Sequence, residues 1–160
     1  MNKFLKLGLS FLLAVILITF LKPYIDDYKE QKQYDFKLNT IDGEITKESF
    51  KGKYLAIYFG YTFCPDVCPT SLQILAEAFD QLEPELQDQA TGVFVSLDPE
   101  RDGHAKLREY ARYFHPNIIG VTGTPAEVRN VADELGVRFK VNNPGNGDYS
   151  VDHSTLAFAI

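Results

Sequence analysis

Two cysteines, Cys64 and Cys68, stand four residues apart in Cys64-Pro65-Asp66-Val67-Cys68-Pro69. On a helical turn, residues i and i+4 share one face, so both sulfurs can meet one partner. A helix N-terminus also favours thiolate over thiol, and thiolate is the form that binds metal and exchanges disulfides. The pair is therefore either a redox dithiol or half of a metal site. C-x-x-x-C spacing does not separate the two, although it is less usual than C-x-x-C for a thioredoxin-type dithiol. An inert core pair is disfavoured, because the prolines around both cysteines predict an exposed loop.

Three histidines are available to complete a ligand set. His104 reads as a solvated residue of a helix's first turn. His115, before Pro116, reads as a helix end, where a cation suits the dipole. His153 differs, because Val151-Asp152-His153-Ser154-Thr155 lies directly before the last apolar stretch. In a thioredoxin-like topology, the loop at that point faces the cysteine loop. Two thiolates and one imidazole fall short of the four ligands of a structural zinc site. They suit copper, since thiolate pairs select Cu(I) and imidazole also takes Cu(II). An open site of three ligands suits copper held for handing on. Asp66 and Asp98 are candidates to support the ligands or to bind weakly themselves. Asp98 fits a turn cap before Pro99 equally well.

These residues need a scaffold, and the hydrophobic pattern supplies one. Lys53 to Gly60 (KYLAIYFG) reads as a buried strand running straight into the cysteine segment. That places both cysteines at the C-terminal end of a strand, where open α/β sheets hold their ligands. A helix is expected from between Pro65 and Pro69 to about Leu82, with Leu72, Leu75, Ala76, Phe79 and Leu82 at helical spacing. Gly92 to Leu97 reads as a second buried strand, which puts Asp98 at the same sheet edge. Ala105 to Phe114 reads as a helix and Ile118 to Val121 as a strand. Thr124, Pro125 and Glu127 form a capping signature for a helix to Leu135, stopped by Gly136. Tyr34 to Leu38 and Glu44 to Thr46 are expected to pair across a turn at Asp42-Gly43. Phe139 and Val141 begin another strand, Asn142 to Asp148 is a loop, and Thr155 to Ile160 is a last strand that looks central. The order β-β-β-α-β-α-β-α-β-β predicts an α/β domain around a mostly parallel sheet flanked by helices.

Composition narrows the partners. The 160 residues are 45% hydrophobic and 13% aromatic, which is enough for one packed domain and excludes wholesale disorder. The net charge is -6. Lys3, Lys6 and Lys22 belong to the N-terminal segment, which leaves 13 basic against 22 acidic residues beyond it. Nucleic acid is therefore not the expected partner. The only methionine is Met1, so the folded part offers no thioether ligand.

Leu7 to Leu21 carries no charge. As a helix it would span about 22 Å, somewhat short of the roughly 30 Å hydrocarbon core, with Lys6 and Lys22 able to snorkel. A cleaved signal peptide and a retained anchor compete; the lack of an A-x-A site favours the anchor. Lys3 and Lys6 before the run place the C-terminal domain outside the cytoplasm, on the periplasmic side in a bacterium. The expected organisation is an anchor over 1–23, a tether over 24–33 and a copper-binding domain over 34–160.

Taken together, these residues resemble the Sco/SenC family of copper-binding, thioredoxin-like proteins. The family's Cys-Pro-Asp-x-Cys-Pro stands here as Cys64 to Pro69, and its preceding Phe-Gly-Tyr-Thr as Phe59 to Thr62. Its Asp-Pro-Glu-Arg-Asp element is Asp98 to Asp102, its Val-x-Gly-Thr is Val121 to Thr124, and its Val-Asp-His is Val151 to His153. The resemblance covers roughly Tyr34 to Ile160. It implies a thioredoxin-like fold with an N-terminal anchor, and copper held by Cys64, Cys68 and His153. It also implies assembly of the copper centre of cytochrome c oxidase, with the copper-bearing subunit as partner, and thiol-disulfide activity of the same cysteines. Two departures stand out. Gly103-His104 replaces the usual Thr after Asp102, and nothing follows Ile160, where family chains continue into another strand and a C-terminal helix. The competing reading is a thiol-disulfide oxidoreductase acting on an oxidase subunit or another extracytoplasmic target. A peroxidase is a weaker third, because Thr62 precedes Cys64 by two residues but no arginine partner is identifiable.

Overall fold

The computed structural model describes residues 12–13, 15–23, 36–142, 149–154 and 157–159. The chain divides into two compact units, Met1–Asp35 and Phe36–Ile160. In the first, the described residues are helical. No described helix is long and apolar enough to cross a membrane. Residues 1–11 and 14 of the expected anchor, and the whole expected tether, lie outside the described residues.

The second unit is built on a four-stranded sheet. Strand β3 (Tyr54–Gly60) and strand β4 (Ala90–Ser96) pair in parallel, from Tyr54↔Ala90 to Gly60↔Ser96. Strand β5 (Ile118–Val121) runs parallel to β4 on its other side. Strand β8 (Ala157–Ala159) is antiparallel to β3, giving the order β5-β4-β3-β8. The sheet is thus mostly parallel, as expected, but β8 occupies one end of it among the described residues rather than a central position. Side chains alternate across β3 and β4. Tyr58 and Phe94 face a core shared with Cys68, Leu72, Phe79, Leu107 and Ala111.

Helix α1 (Val67–Asp80) follows β3, and its buried stripe runs Cys68, Leu72, Ala76, Phe79. Cys68 is thus the first member of the stripe that packs the helix on the sheet, not a residue of an exposed loop. A short helix α2 (Pro84–Gln87), which the sequence pattern does not announce, connects to β4. Helix α3 (His104–Phe114) buries Leu107 and Ala111. Helix α4 (Pro125–Glu134) starts on the expected capping box: Thr124 Oγ1 accepts from the Glu127 N–H at 3.3 Å, and Glu127 Oε2 accepts from the Thr124 N–H at 2.8 Å. Gly136, at φ +69°, ends it in the left-handed conformation that favours glycine.

Two hairpins complete the unit. Strands β1 (Lys37–Thr40) and β2 (Gly43–Thr46) pair across Asp42-Gly43. Strands β6 (Phe139–Asn142) and β7 (Ser150–His153) pair from Phe139↔His153 to Asn142↔Ser150. His153 therefore ends a strand instead of lying in a loop. The alternation of Ser150-Val151-Asp152-His153 is too short to stand out from the loop before it, and residues 143–148 of that loop lie outside the described set.

Candidate metal centre

The cysteines are placed by the end of β3 and the start of α1. Past Gly60 the chain turns, and the Cys64 N–H donates to the Tyr61 carbonyl at 3.2 Å. Asp66 caps α1, so Cys68 falls in its first turn. There the Cys68 N–H, which has no partner inside the helix, donates to the Cys64 sulfur at 3.4 Å. Cys64 is half-buried and Cys68 fully buried, both as free thiols. The Cys68 sulfur rests against the β3 backbone at Gly60, where a Cβ would lie 2.6 Å from it and 2.9 Å from the Phe94 ring. Only glycine leaves that space.

His153 comes from the opposite side, at the end of β7. Its Nδ1 is 3.1 Å from the Ser154 carbonyl oxygen. A carbonyl can only accept, so Nδ1 carries the ring proton and Nε2 presents its lone pair. Nε2 faces the Cys68 sulfur at 3.5 Å. Tyr61 and Tyr58 meet the imidazole edge-on, with ring centroids 6.2 and 6.5 Å away. One ligand atom from each of Cys64, Cys68 and His153 falls within 4.8 Å of the other two, the only such group of potential metal ligands among the described residues. Two soft sulfurs and one imidazole nitrogen form a donor set that fits a soft or borderline ion.

Burial pushes the Cys68 thiol up to about 12, and a backbone hydrogen bond from Tyr61 opposes that only in part. Position at a helix start thus does not make Cys68 a thiolate in the metal-free chain. The cost of charging a sulfur sealed in the core outweighs the dipole. A metal reverses the balance by coordinating the sulfur as thiolate.

A clasp ties the two halves together. Asp98 is buried at the end of β4, and its carboxylate accepts from Arg101 Nε at 2.5 Å and from the Tyr149 hydroxyl at 2.6 Å. Arg101 Nη1 donates to the Tyr149 carbonyl at 2.9 Å, and the guanidinium lies 3.6 Å over the Tyr149 ring and 4.7 Å from the Phe63 ring. Phe63 adjoins Cys64, and Tyr149 leads into β7. Arg101 therefore spans from the cysteine segment to the histidine strand. Asp98 holds Tyr149 both directly and through Arg101, and it lies outside the ligand group. Asp66 is exposed, and its carbonyl accepts from Thr70 at the start of α1.

Asp102 has no role in the sequence reading, yet it is fully buried beneath the cysteine segment. Its carboxylate accepts from the Thr62 N–H at 2.8 Å, from the Thr62 hydroxyl, and from the Ser96 hydroxyl at 2.6 Å. The partners are 40 and 6 residues away, so no local pattern marks them. The other histidines stand apart. His104 is exposed at the start of α3. His115 ends α3, stacked on Phe79 at 5.2 Å with Nδ1 accepting from the Asn117 N–H at 3.0 Å.

Residues 26–160 match the family model described as SCO1/SenC. The chain is 40% identical over 126 residues to Arabidopsis thaliana protein SCO1 homolog 1, mitochondrial, covering 78% of this chain and 38% of the relative. It is 39% identical over 129 residues to the SCO2-like protein of Rickettsia felis, covering 79% and 62%. It thus spans roughly two fifths to three fifths of the length of these curated relatives. Among solved structures, Arabidopsis thaliana ScoI with copper bound superposes with a TM-score of 0.72 at 38% identity, covering 79% of each chain.

Proposed function

The chain belongs to the SCO1/SenC family, and from that premise we propose that it is a copper metallochaperone. The cargo is a copper ion, bound by the Cys64 and Cys68 thiolates and His153 Nε2, and destined for the copper centre of cytochrome c oxidase. The observation that carries the reading is the convergence of those three ligand atoms within 4.8 Å. The donor chemistry supports copper: thiolates suit Cu(I) and imidazole extends the range to Cu(II). The half-buried Cys64 supports transfer, because it leaves one ligand open to an incoming thiolate. Delivery follows as a ligand exchange in which recipient sulfurs replace Cys64 and then the buried Cys68. The uncharged run from Leu7 to Leu21, flanked by Lys3, Lys6 and Lys22, supports an N-terminal anchor over 1–23, with the copper-binding domain outside the cytoplasm.

A second reading rests on the same two free thiols, which share a turn. Cys64 as thiolate attacks a target disulfide and forms a mixed disulfide. Cys68 then resolves it, leaving the target reduced and the Cys64–Cys68 pair oxidised by two electrons. This exchange does not need His153. The test incubates the copper-loaded full chain with the reduced, metal-free copper-bearing domain of an oxidase subunit and follows the metal. Movement of copper to the recipient is expected. Retention of copper, with reduction of a disulfide-bonded recipient instead, would replace the chaperone by the reductase.

A further inference from the structure

Behind the cysteines lies a buried hydroxyl. Tyr58 is buried on β3, two residues before Gly60. Among the described residues its hydroxyl makes no hydrogen bond of good geometry, which is rare for an enclosed polar atom. It stands beside the Cys68 sulfur and Ser71. The point where a Gly60 Cβ would sit is 2.6 Å from the Cys68 sulfur and 3.3 Å from Tyr58 Cε1, so ring and sulfur flank the same gap. The ring also meets His153 edge-on at 6.5 Å. Tyr58 thus lines the ligand cluster, and among the described residues its hydroxyl makes no well-formed hydrogen bond.

The geometry accounts for the orphan: the Tyr58 ring and the Cys68 sulfur flank one gap beside the ligand cluster. In the metal-free chain the Cys68 sulfur faces His153 Nε2 at 3.5 Å, and a thiol sulfur is a weak acceptor. A thiolate is a strong acceptor, and hydrogen bonds to charged groups are the stronger kind. We propose that Tyr58 is a positioning residue for the loaded site: its hydroxyl donates to the Cys68 sulfur once that sulfur is a metal-bound thiolate. This rests on the copper site proposed above. In the metal-free chain the hydroxyl is left unsatisfied, and in the loaded chain it is paired. The difference favours loading without any contact between Tyr58 and the metal. It also draws electron density from the sulfur, which adjusts how strongly Cys68 binds.

Tyr110 supplies the control. Its hydroxyl is also buried and, among the described residues, unpartnered; it is close enough to Cys68 and Cys64 to feel their charge but bonds neither, and its ring packs on Phe94 at 5.5 Å and Phe114 at 5.2 Å. The test compares wild type, Tyr58→Phe and Tyr110→Phe as reduced full chains titrated with Cu(I) against a competing chelator. Thermal midpoints of the metal-free forms and absorption spectra of the Cu(II) forms complete the set. Tyr58→Phe is expected to bind Cu(I) about tenfold more weakly. Its sulfur-to-Cu(II) charge-transfer band should move to lower energy, and its metal-free midpoint should stay level or rise. Tyr110→Phe should keep the wild-type affinity and band. Wild-type affinity and band in Tyr58→Phe would overturn the inference. So would an equal loss in Tyr110→Phe, or a Tyr58→Phe affinity loss accompanied by a fallen midpoint. Failure of the wild type to bind is separately visible, and it would remove the copper reading and this inference with it.

Discussion

The Cys68 sulfur and His153 Nε2 face each other at 3.5 Å across 85 residues of sequence. Neither position is local in origin. Cys68 is fixed because it opens the apolar stripe of α1, and His153 because β7 pairs with β6 in a register that sets His153 opposite Phe139. The hydrogen bond from Nδ1 to the Ser154 carbonyl then turns Nε2 toward the sulfur. A metal arriving here would find three potential ligand atoms already gathered, so less binding energy would go into ordering them.

Gly60 is a direct test of how tightly the sulfur is seated. In Gly60→Ala the new Cβ meets the Cys68 sulfur at 2.6 Å and the Phe94 ring at 2.9 Å. Overpacking of this kind costs about 1–3 kcal/mol. The metal-free full chain should lose that much in a urea titration, and copper affinity should fall with it. An unchanged unfolding midpoint would mean that the sulfur is not wedged against β3.

Arg101 should matter only through His153. Arg101→Ala removes the guanidinium between Phe63 and Tyr149 and leaves the Asp98 carboxylate without its cation. Copper affinity is expected to fall about tenfold while Cys64 still reacts with a thiol reagent and both thiols are counted after unfolding. In a cycle with His153→Ala, the second substitution should add almost nothing, because coupled positions are not additive. Additive losses would place Arg101 outside the path to His153.

Asp102 is expected to be the costliest of the three for folding. Asp102→Ala leaves the Thr62 N–H, the Thr62 hydroxyl and the Ser96 hydroxyl without their acceptor. Removing one side of a buried charged network typically costs about 3 kcal/mol or more. The denaturant midpoint should drop sharply with an unchanged slope. A loss under about 1 kcal/mol would show that these groups find other partners.

The elements legible in the sequence are those with a strong periodic signal. Strand β3 and helices α3 and α4 stand within a residue or so of expectation, because an apolar run, a helical stripe and a capping box each act locally. Cys64, Cys68 and His153 were legible through residue type, with a strand end on one side and a final apolar stretch on the other. What stayed hidden depends on contacts distant in sequence. The burial of Cys68 needs the sheet beneath α1, and it reverses the expectation of a ready thiolate. Asp98 sits in a visible motif, but its partner Tyr149, held directly and through Arg101, is 51 residues away. The unpartnered Tyr58 hydroxyl is apparent only once its surroundings are assembled.

The most direct test of the three-ligand site is a Cu(I) titration of the reduced full chain against a competing chelator, with His153→Ala run beside it. The expected result is one tight equivalent per wild-type chain, much weakened in His153→Ala, with two free thiols counted in both after unfolding. Equal copper affinity in the two proteins would remove His153 from the site and leave only the cysteine pair, which is the arrangement the thiol-disulfide reading requires.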